Sequence, residues 1–298
     1  MKSRKYLNPV GVSKYTGLLL ILPFIIGFVL FTAYPIIKII VGSLTENSFY
    51  SNDSGSFTLE NFKSVFRDSN VRNAAAVTLK YTAILVPLKL IVSLFTAVLL
   101  NLEIKGMNIF RTIFYIPSIL GANLAVIIMW QFLFTSNGLV NQLLDAVGIS
   151  PVSWYGEPAP AMGIIILLRL WEFGSTMVIF LAALRDIPKD YYEAARVDGC
   201  GRIRAFFRIT LPLIRNVIFI NLILQTVSAM QEFTAPYMIT GGNPMESTYT
   251  LGMLIYDMLF HEWRTGQGYA VSLLLFCFIA AAVGIIFLIS RKSREESQ

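Results

Sequence analysis

The chain has 298 residues, 55% hydrophobic and 14% charged, with a formal net charge of +6. Soluble domains carry about 25% charged residues, and the apolar residues here fall in long blocks, which excludes an ordinary water-soluble domain and indicates a polytopic helical membrane protein. An outer-membrane barrel would show alternating segments of about 10 residues, and the sequence has none.

In chain order, Lys2, Arg4, Lys5 and Lys14 precede a first apolar run at residues 18–42. That run exceeds the roughly 7–15 residues of a signal-peptide core and lacks a small-x-small cleavage site. It reads as an uncleaved span. Residues 43–72 are polar. Within them Phe57, Phe62, Val65 and Phe66 have the spacing of a short helix lying on the membrane surface, with ordinary loop packing as the alternative. A second run covers 73–100 and includes Lys80, Pro87 and Lys89; a third covers 111–134. A Gly- and Pro-rich segment at 135–160 contains an amphipathic piece at 139–147. The fourth run is 161–184. A basic stretch fills 185–215, and the fifth run is 216–239. A loop at 240–267 begins Thr-Gly-Gly-Asn-Pro. The sixth run, 269–289, is followed by Arg291, Lys292 and Arg294.

Six spans place both termini on one side. With that side cytoplasmic, inside segments hold sixteen Lys and Arg and outside segments four, so the positive-inside rule sets both termini in the cytoplasm. The expectation is an all-α membrane protein, one transmembrane domain over residues 1–298, in a cell membrane. Cys200 and Cys277 form no Cys-x-x-Cys, and His261 is the only histidine. Neither a disulfide framework nor a metal site is expected.

The stretch 185–215 holds seven of the inside cations. Pro188 marks a helix start, and Asp190 and Glu193 have capping-box spacing. A helix of about ten residues, roughly 15 Å long, would run to Asp198, with Gly199 and Gly201 as its stop. Beyond it Ile203, Phe206, Phe207 and Leu211 alternate with Arg202, Arg204 and Arg208, as in a piece lying at the inner interface. By physics alone this is a loop helix flanked by basic interfacial residues.

Its spacing carries a resemblance. Glu193-Ala194-Ala195, three residues, Gly199, nine residues, then Ile209-Thr210-Leu211-Pro212 resembles the signature of permease subunits of bacterial binding-protein-dependent ABC importers. Phe57–Phe62, Pro87, residues 139–144, Trp171, Ile187-Pro188 and the Thr240-Gly-Gly-Asn-Pro run resemble the carbohydrate-uptake branch, of the maltose or glycerol-phosphate permease type. The family usually has Ala at the Cys200 position. The resemblance implies a type I importer fold. It makes Glu193, Ala194, Ala195, Asp198 and Gly199 the surface that docks on a separate ATPase. It also implies the partners: a sister permease in a heterodimer, two ATP-binding-cassette ATPase subunits that use ATP and Mg, an extracytoplasmic solute-binding protein, a sugar substrate and membrane lipid, with no nucleic acid. No cofactor is expected on this chain.

Ionisable residues within spans are costly, about 2.5–3.5 kcal/mol each on insertion scales, and therefore face an interior. Arg169 and Glu172 lie three apart on one helical face, with Thr176 a turn further; they serve either as a mutual pair or as solute contacts. Ser228 and Glu232 share a face in the fifth span, with Gln225 a turn before and Gln231 beside. Ser118 and Ala122 follow Pro117 in the third. By resemblance to maltose-type permeases, Ser118, Ala122, Arg169, Glu172, Thr176, Ser228, Gln231 and Glu232 are the substrate-pathway candidates. They are more charged than the Asn- and Tyr-rich set expected for maltose. Lys80 and Lys89 receive no role.

The chain has no Gly-x4-Gly-Lys-[Ser/Thr] phosphate loop and no catalytic Ser/His/Asp or His-Glu-x-x-His pattern. It is expected to be a transport subunit and not an enzyme. The alternatives are an importer permease for an amino acid, peptide or glycerol-phosphate, and a secondary transporter, for which broken helices and inverted repeats would be the signs.

Overall fold

The computed structural model describes residues 14–45, 56–102, 106–121 and 123–295. Among them every extended element is helical, and the one strand-like contact is a single bridge between Thr45 and Phe57. Large apolar side chains cover the outside: Leu20 is 77% and Phe31 83% exposed, while Thr78, Ser93, Thr176 and Asn221 are buried. A surface of that kind is stable only where the surroundings are themselves apolar.

Helix α1 (Lys14–Phe28) runs through a π-helical turn into α2 (Tyr34–Ser43), realising the first apolar run. The expected surface helix is α3 (Glu60–Arg67), packed by Val65 and Phe62 into the core formed with α16, defined below. The second run is α4 (Ser69–Leu100), which begins four residues early because the Asp68 carboxylate accepts from the Asn70 amide at 2.9 Å. A free amide at a helix start recruits such a cap.

The third, fourth and fifth runs were each expected as one unbroken span, and each is interrupted. The third divides into α5 (Met107–Leu120) and α6 (Leu124–Leu133), with Asn123 capping α6 through the Ala125 amide at 3.0 Å. After α7 (Leu139–Ala146), the fourth divides into α8 (Pro158–Trp171) and α9 (Gly174–Arg185), bent by 44°. The basic stretch forms α10 (Lys189–Val197), α11 (Arg202–Ala205), a π-helical turn and α12 (Leu211–Leu213). The fifth run is α13 (Arg215–Met230) followed by α14 (Thr234–Ile239). Segment 240–264 carries α15 (Leu251–Tyr256) and another π-helical turn, and α16 (Thr265–Glu295) ends the described chain. Four helices are long and apolar enough to cross a membrane, and the two bent pairs pass the same test when each is taken together.

The interruptions have local causes. At two of the three breaks polar side chains replace lost backbone partners: Asn123 does so for α6, and the Glu232 carboxylate accepts the Ala235 amide in the first turn of α14 at 3.1 Å. At the other end of α14 the Gln131 amide donates to the Met238 carbonyl, and to that of Ile239 at 3.3 Å. Inside a membrane such substitutes are what make a broken helix tolerable. Tertiary packing runs from α4 to α9 and α13, from α16 to α2, α3 and α13, and from α5 to α9.

Segment 135–157 is organised by Asn141, which is 2% exposed. Its side-chain amide donates to the carbonyls of Ser136 and Val152, both at 3.0 Å. Its oxygen accepts from the Val152 amide at 3.0 Å and the Trp154 indole at 2.9 Å. All four hydrogen-bonding sites of the side chain are therefore used. Asn141→Leu strips partners from these groups at about 1–3 kcal/mol for each one left buried. Limited proteolysis of the variant should cut within 135–157 at least tenfold faster; an unchanged cutting rate would count against Asn141 as the organiser.

Candidate functional site

Three breaks converge on one cluster of charges. Arg169 lies in the last turn of α8, Glu172 just past it, and Glu232 between α13 and α14. The Arg169 Nε and Nη2 donate to the two oxygens of Glu232 at 2.8 and 2.9 Å, a bidentate clasp between spans. Nη1 donates to both oxygens of Glu172, at 2.8 and 3.0 Å. Side-chain exposures are 13% for Arg169 and Glu172 and 10% for Glu232. A planar guanidinium bound at two edges fixes orientation as well as charge. The helix termini fit this arrangement, since cations are favoured at a C-terminus such as that of α8 and anions at an N-terminus such as that of α14.

Close packing holds the trio. A Cβ added at Gly121 would lie 2.2 Å from the Glu172 Cδ, and one at Gly174 would lie 2.4 Å from the Phe114 carbonyl. The end of α5 thus leans on the α8–α9 break through two glycines. Above the trio, the Thr250 hydroxyl donates to the Glu232 carbonyl at 2.9 Å while capping α15. Beside it Trp130 and Trp171 pack at 5.8 Å between ring centroids.

The trio walls a cavity of about 320 Å³, lined also by Lys89, Gln225, Ser228, Gln231, Phe233 and Thr234. Of the eight expected pathway residues, Arg169, Glu172, Ser228, Gln231 and Glu232 are brought together there. Thr176 is buried behind the wall and accepts from the Gln225 amide at 3.0 Å. Ser118 does not line the cavity; its hydroxyl turns back to the Tyr115 carbonyl at 2.7 Å, beside Gly174. Ala122 lies outside the described residues. Lys89, given no role from the sequence, lines the cavity from α4. Its signal was the one that marked Arg169: a cation inside an apolar run.

The basic stretch forms a second surface. Helix α10 buries none of its residues, and Glu193, Ala194, Asp198 and Gly199 are exposed, with Ala195 half-buried. Val197 is 89% exposed. The expected capping box is not formed. The helix starts at Lys189 with Pro188 as its N-cap, so Asp190 already sits inside the first turn. The stop is divided between the glycines differently than expected. Gly199 has φ +73°, and the amides of Gly199 and Cys200 return to the carbonyls of Arg196 at 3.0 Å and Ala195 at 2.8 Å. That is a Schellman closure, which favours glycine. Gly201, at φ −69°, instead precedes α11 as its N-cap. The Tyr192 and Thr210 hydroxyls meet at 2.8 Å and tie α10 to the buried end of the motif.

Within segment 240–264 Tyr249 donates to the Asp257 carboxylate at 2.5 Å, and His261 meets the other oxygen at 2.7 Å. Burial first, then this bond, hold the Tyr249 hydroxyl protonated well above the usual tyrosine range. Among the described residues no group of three or more His, Cys, Asp or Glu is arranged to hold a metal.

Comparison with known proteins gives the family. The chain is 40% identical over 275 residues to the probable ABC transporter permease YesP of Bacillus subtilis, covering 91% of this chain and 89% of that protein. It is 34% identical to the sulfoquinovosyl glycerol transport system permease SmoG of Agrobacterium fabrum, covering 92% and 90%. It is 30% identical to the trehalose/maltose transport system permease MalF of Thermococcus litoralis, covering 94% and 95%. Its fold matches a chain in the crystal structure of a bacterial ABC transporter involved in import of the acidic polysaccharide alginate, with a TM-score of 0.78 at 23% identity over 93% of this chain and 96% of that one. Since these relatives are transporter permeases, broken helices here do not indicate a secondary transporter, and that criterion fails for this chain. The family model described as the inner membrane component of binding-protein-dependent transport systems matches residues 89–295, and the chain belongs to that family.

Proposed function

We propose that this chain is the membrane-spanning subunit of an ATP-driven sugar importer and that the cavity bounded by Arg169, Glu172 and Glu232 lies on the solute's path. The observation that carries the reading is the convergence of two broken helices and α4 on one polar cavity, in a chain belonging to a transport-system family. Relatives named for trehalose/maltose and sulfoquinovosyl glycerol transport support a saccharide cargo. In this reading the whole chain is one transmembrane domain of six spans, α5–α6 and α8–α9 each counting as one. Both termini are cytoplasmic, in the bacterial cell membrane.

The partners are a sister permease, two ATPase subunits that bind ATP and Mg, and an extracytoplasmic binding protein. Glu193, Ala194, Ala195, Asp198 and Gly199 dock on the ATPase. Closure of the ATPase pair draws the docked helices together and favours the outward-open state; hydrolysis favours the inward-open one. Such coupling requires that ATP stabilise the two states differently. The loops 43–72, 135–160 and 240–267 face the binding protein.

The test is purification of the tagged chain from its own membrane, followed by reconstitution into vesicles. An ATPase and a second permease should copurify, and uptake should require ATP and the loaded binding protein. Uptake driven by an ion gradient without ATP would overturn the reading.

A further inference from the structure

The cavity contains one ammonium that has no hydrogen-bond partner among the described residues. Arg169 is committed, because its Nε, Nη1 and Nη2 engage all four oxygens of Glu172 and Glu232. Glu232 is further held by the Ala235 amide. These three side chains carry a formal charge of one minus. Lys89 supplies the balancing plus from α4, yet its ammonium makes no hydrogen bond or close ion pair with any described residue while lining the same cavity.

An ammonium has three donors and no acceptor, and leaving such a charge unpaired away from bulk water is expensive. Passing water meets this need only partly. A solute that brings an anionic oxygen meets it with a charge-assisted bond, about twice as strong as one to a neutral acceptor. The trio's net minus one is offset by Lys89 itself, so an arriving oxyanion meets a cavity that is formally neutral. The rest of the wall, through Gln225, Ser228, Gln231 and Thr234, suits sugar hydroxyls. Lysine also differs from arginine in being a point charge with no fixed fork, so it accepts oxyanions of different shape.

We propose that the solute passing this cavity is a saccharide bearing an oxyanion, as a carboxylate or a phosphate ester, and that Lys89 is the residue that meets it. This rests on the cavity being the solute path. The test uses the purified complete importer without its binding protein, which removes that protein's own selectivity. Saturation-transfer NMR would measure binding of galacturonate, galactose 6-phosphate and galactose, which differ only at C6.

The unsubstituted protein should favour at least one of the two anions over galactose by tenfold or more. The anion favoured identifies the oxyanion. Lys89→Met should bring that ratio to about one, and Lys89→Arg should retain most of it. Ser228→Trp, with elution and ATPase association unchanged, should lose all three ligands by filling the cavity. No anion preference in the unsubstituted protein, no binding of any probe, or a ratio that survives in Lys89→Met overturns the role of Lys89. If Ser228→Trp still binds all three, the cavity is not the path, and both readings fall together. If Ser228→Trp blocks binding while Lys89→Met keeps the ratio, only the anionic solute is rejected.

Discussion

Glu232→Leu is expected to abolish uptake by the assembled importer and to lower the thermal midpoint of the purified complex by several degrees. The reason is the clasp. Glu232 takes two of the Arg169 donors and joins α8 to α14 across 63 residues of sequence. Removing one partner of a buried ion pair costs about 3–5 kcal/mol, chiefly because the other charge is stranded. The cavity admits water to this pair, so the lower end applies, about 3 kcal/mol. The variant also removes the acceptor for the Ala235 amide at the start of α14. A second variant separates stability from transport. Arg169→Met with Glu232→Met leaves Glu172 and Lys89, which are neutral together, and should restore more than half of the lost midpoint while uptake stays absent. Unfolding monitored by the loss of monodisperse complex on heating reads the first quantity, and vesicle uptake the second. A single variant with normal uptake and an unshifted midpoint would remove Glu232 from both roles.

Glu193→Lys combined with Gly199→Pro should eliminate ATPase copurification and lower uptake at least a hundredfold, with the permease still folded. Helix α10 has no buried residue to lose, so the rest of the chain should not notice the change. Proline cannot adopt φ +73° and lacks the amide that bonds the Arg196 carbonyl. The Schellman turn therefore opens and the chain leaves the helix in another direction. Gly199→Ala is the milder control: it keeps the amide, costs about 1 kcal/mol in a left-handed conformation, and should reduce uptake severalfold only. Normal coupling in the double variant would show that α10 is not the docking element.

The sequence made the helical membrane class legible because apolar runs of this length have few other uses. It located helix α10 to within a residue or two, since the glycine after it must take a left-handed turn. Its start was misread: Asp190 has capping-box spacing, but Pro188 sets the start one residue earlier, and the first turn takes Asp190 in. The breaks at 172–173 and 231–233 were not foreseen. Hydropathy averages over a window and does not see that Glu232 can replace a backbone partner at the start of α14. Arg169, Glu172 and Glu232 were each singled out, yet only the fold joins all three, and only it adds Lys89. Ser118, carried over by resemblance to maltose-type permeases, is not part of the cavity lining; its hydroxyl bonds the Tyr115 carbonyl of its own helix.

The clasp also has a history in time. The chain is made from its N-terminus at about 5–20 residues per second, and Glu232 follows Arg169 by 63 residues. Arg169 therefore emerges some 3–13 s before its main partner exists. During that interval Glu172, three residues on, is the counter-charge already at hand, and it allows the α8–α9 segment to enter the bilayer as a locally neutral unit. Glu232 then arrives to a guanidinium with one edge still free, and closing that clasp marks the step at which separately inserted segments become one assembled core.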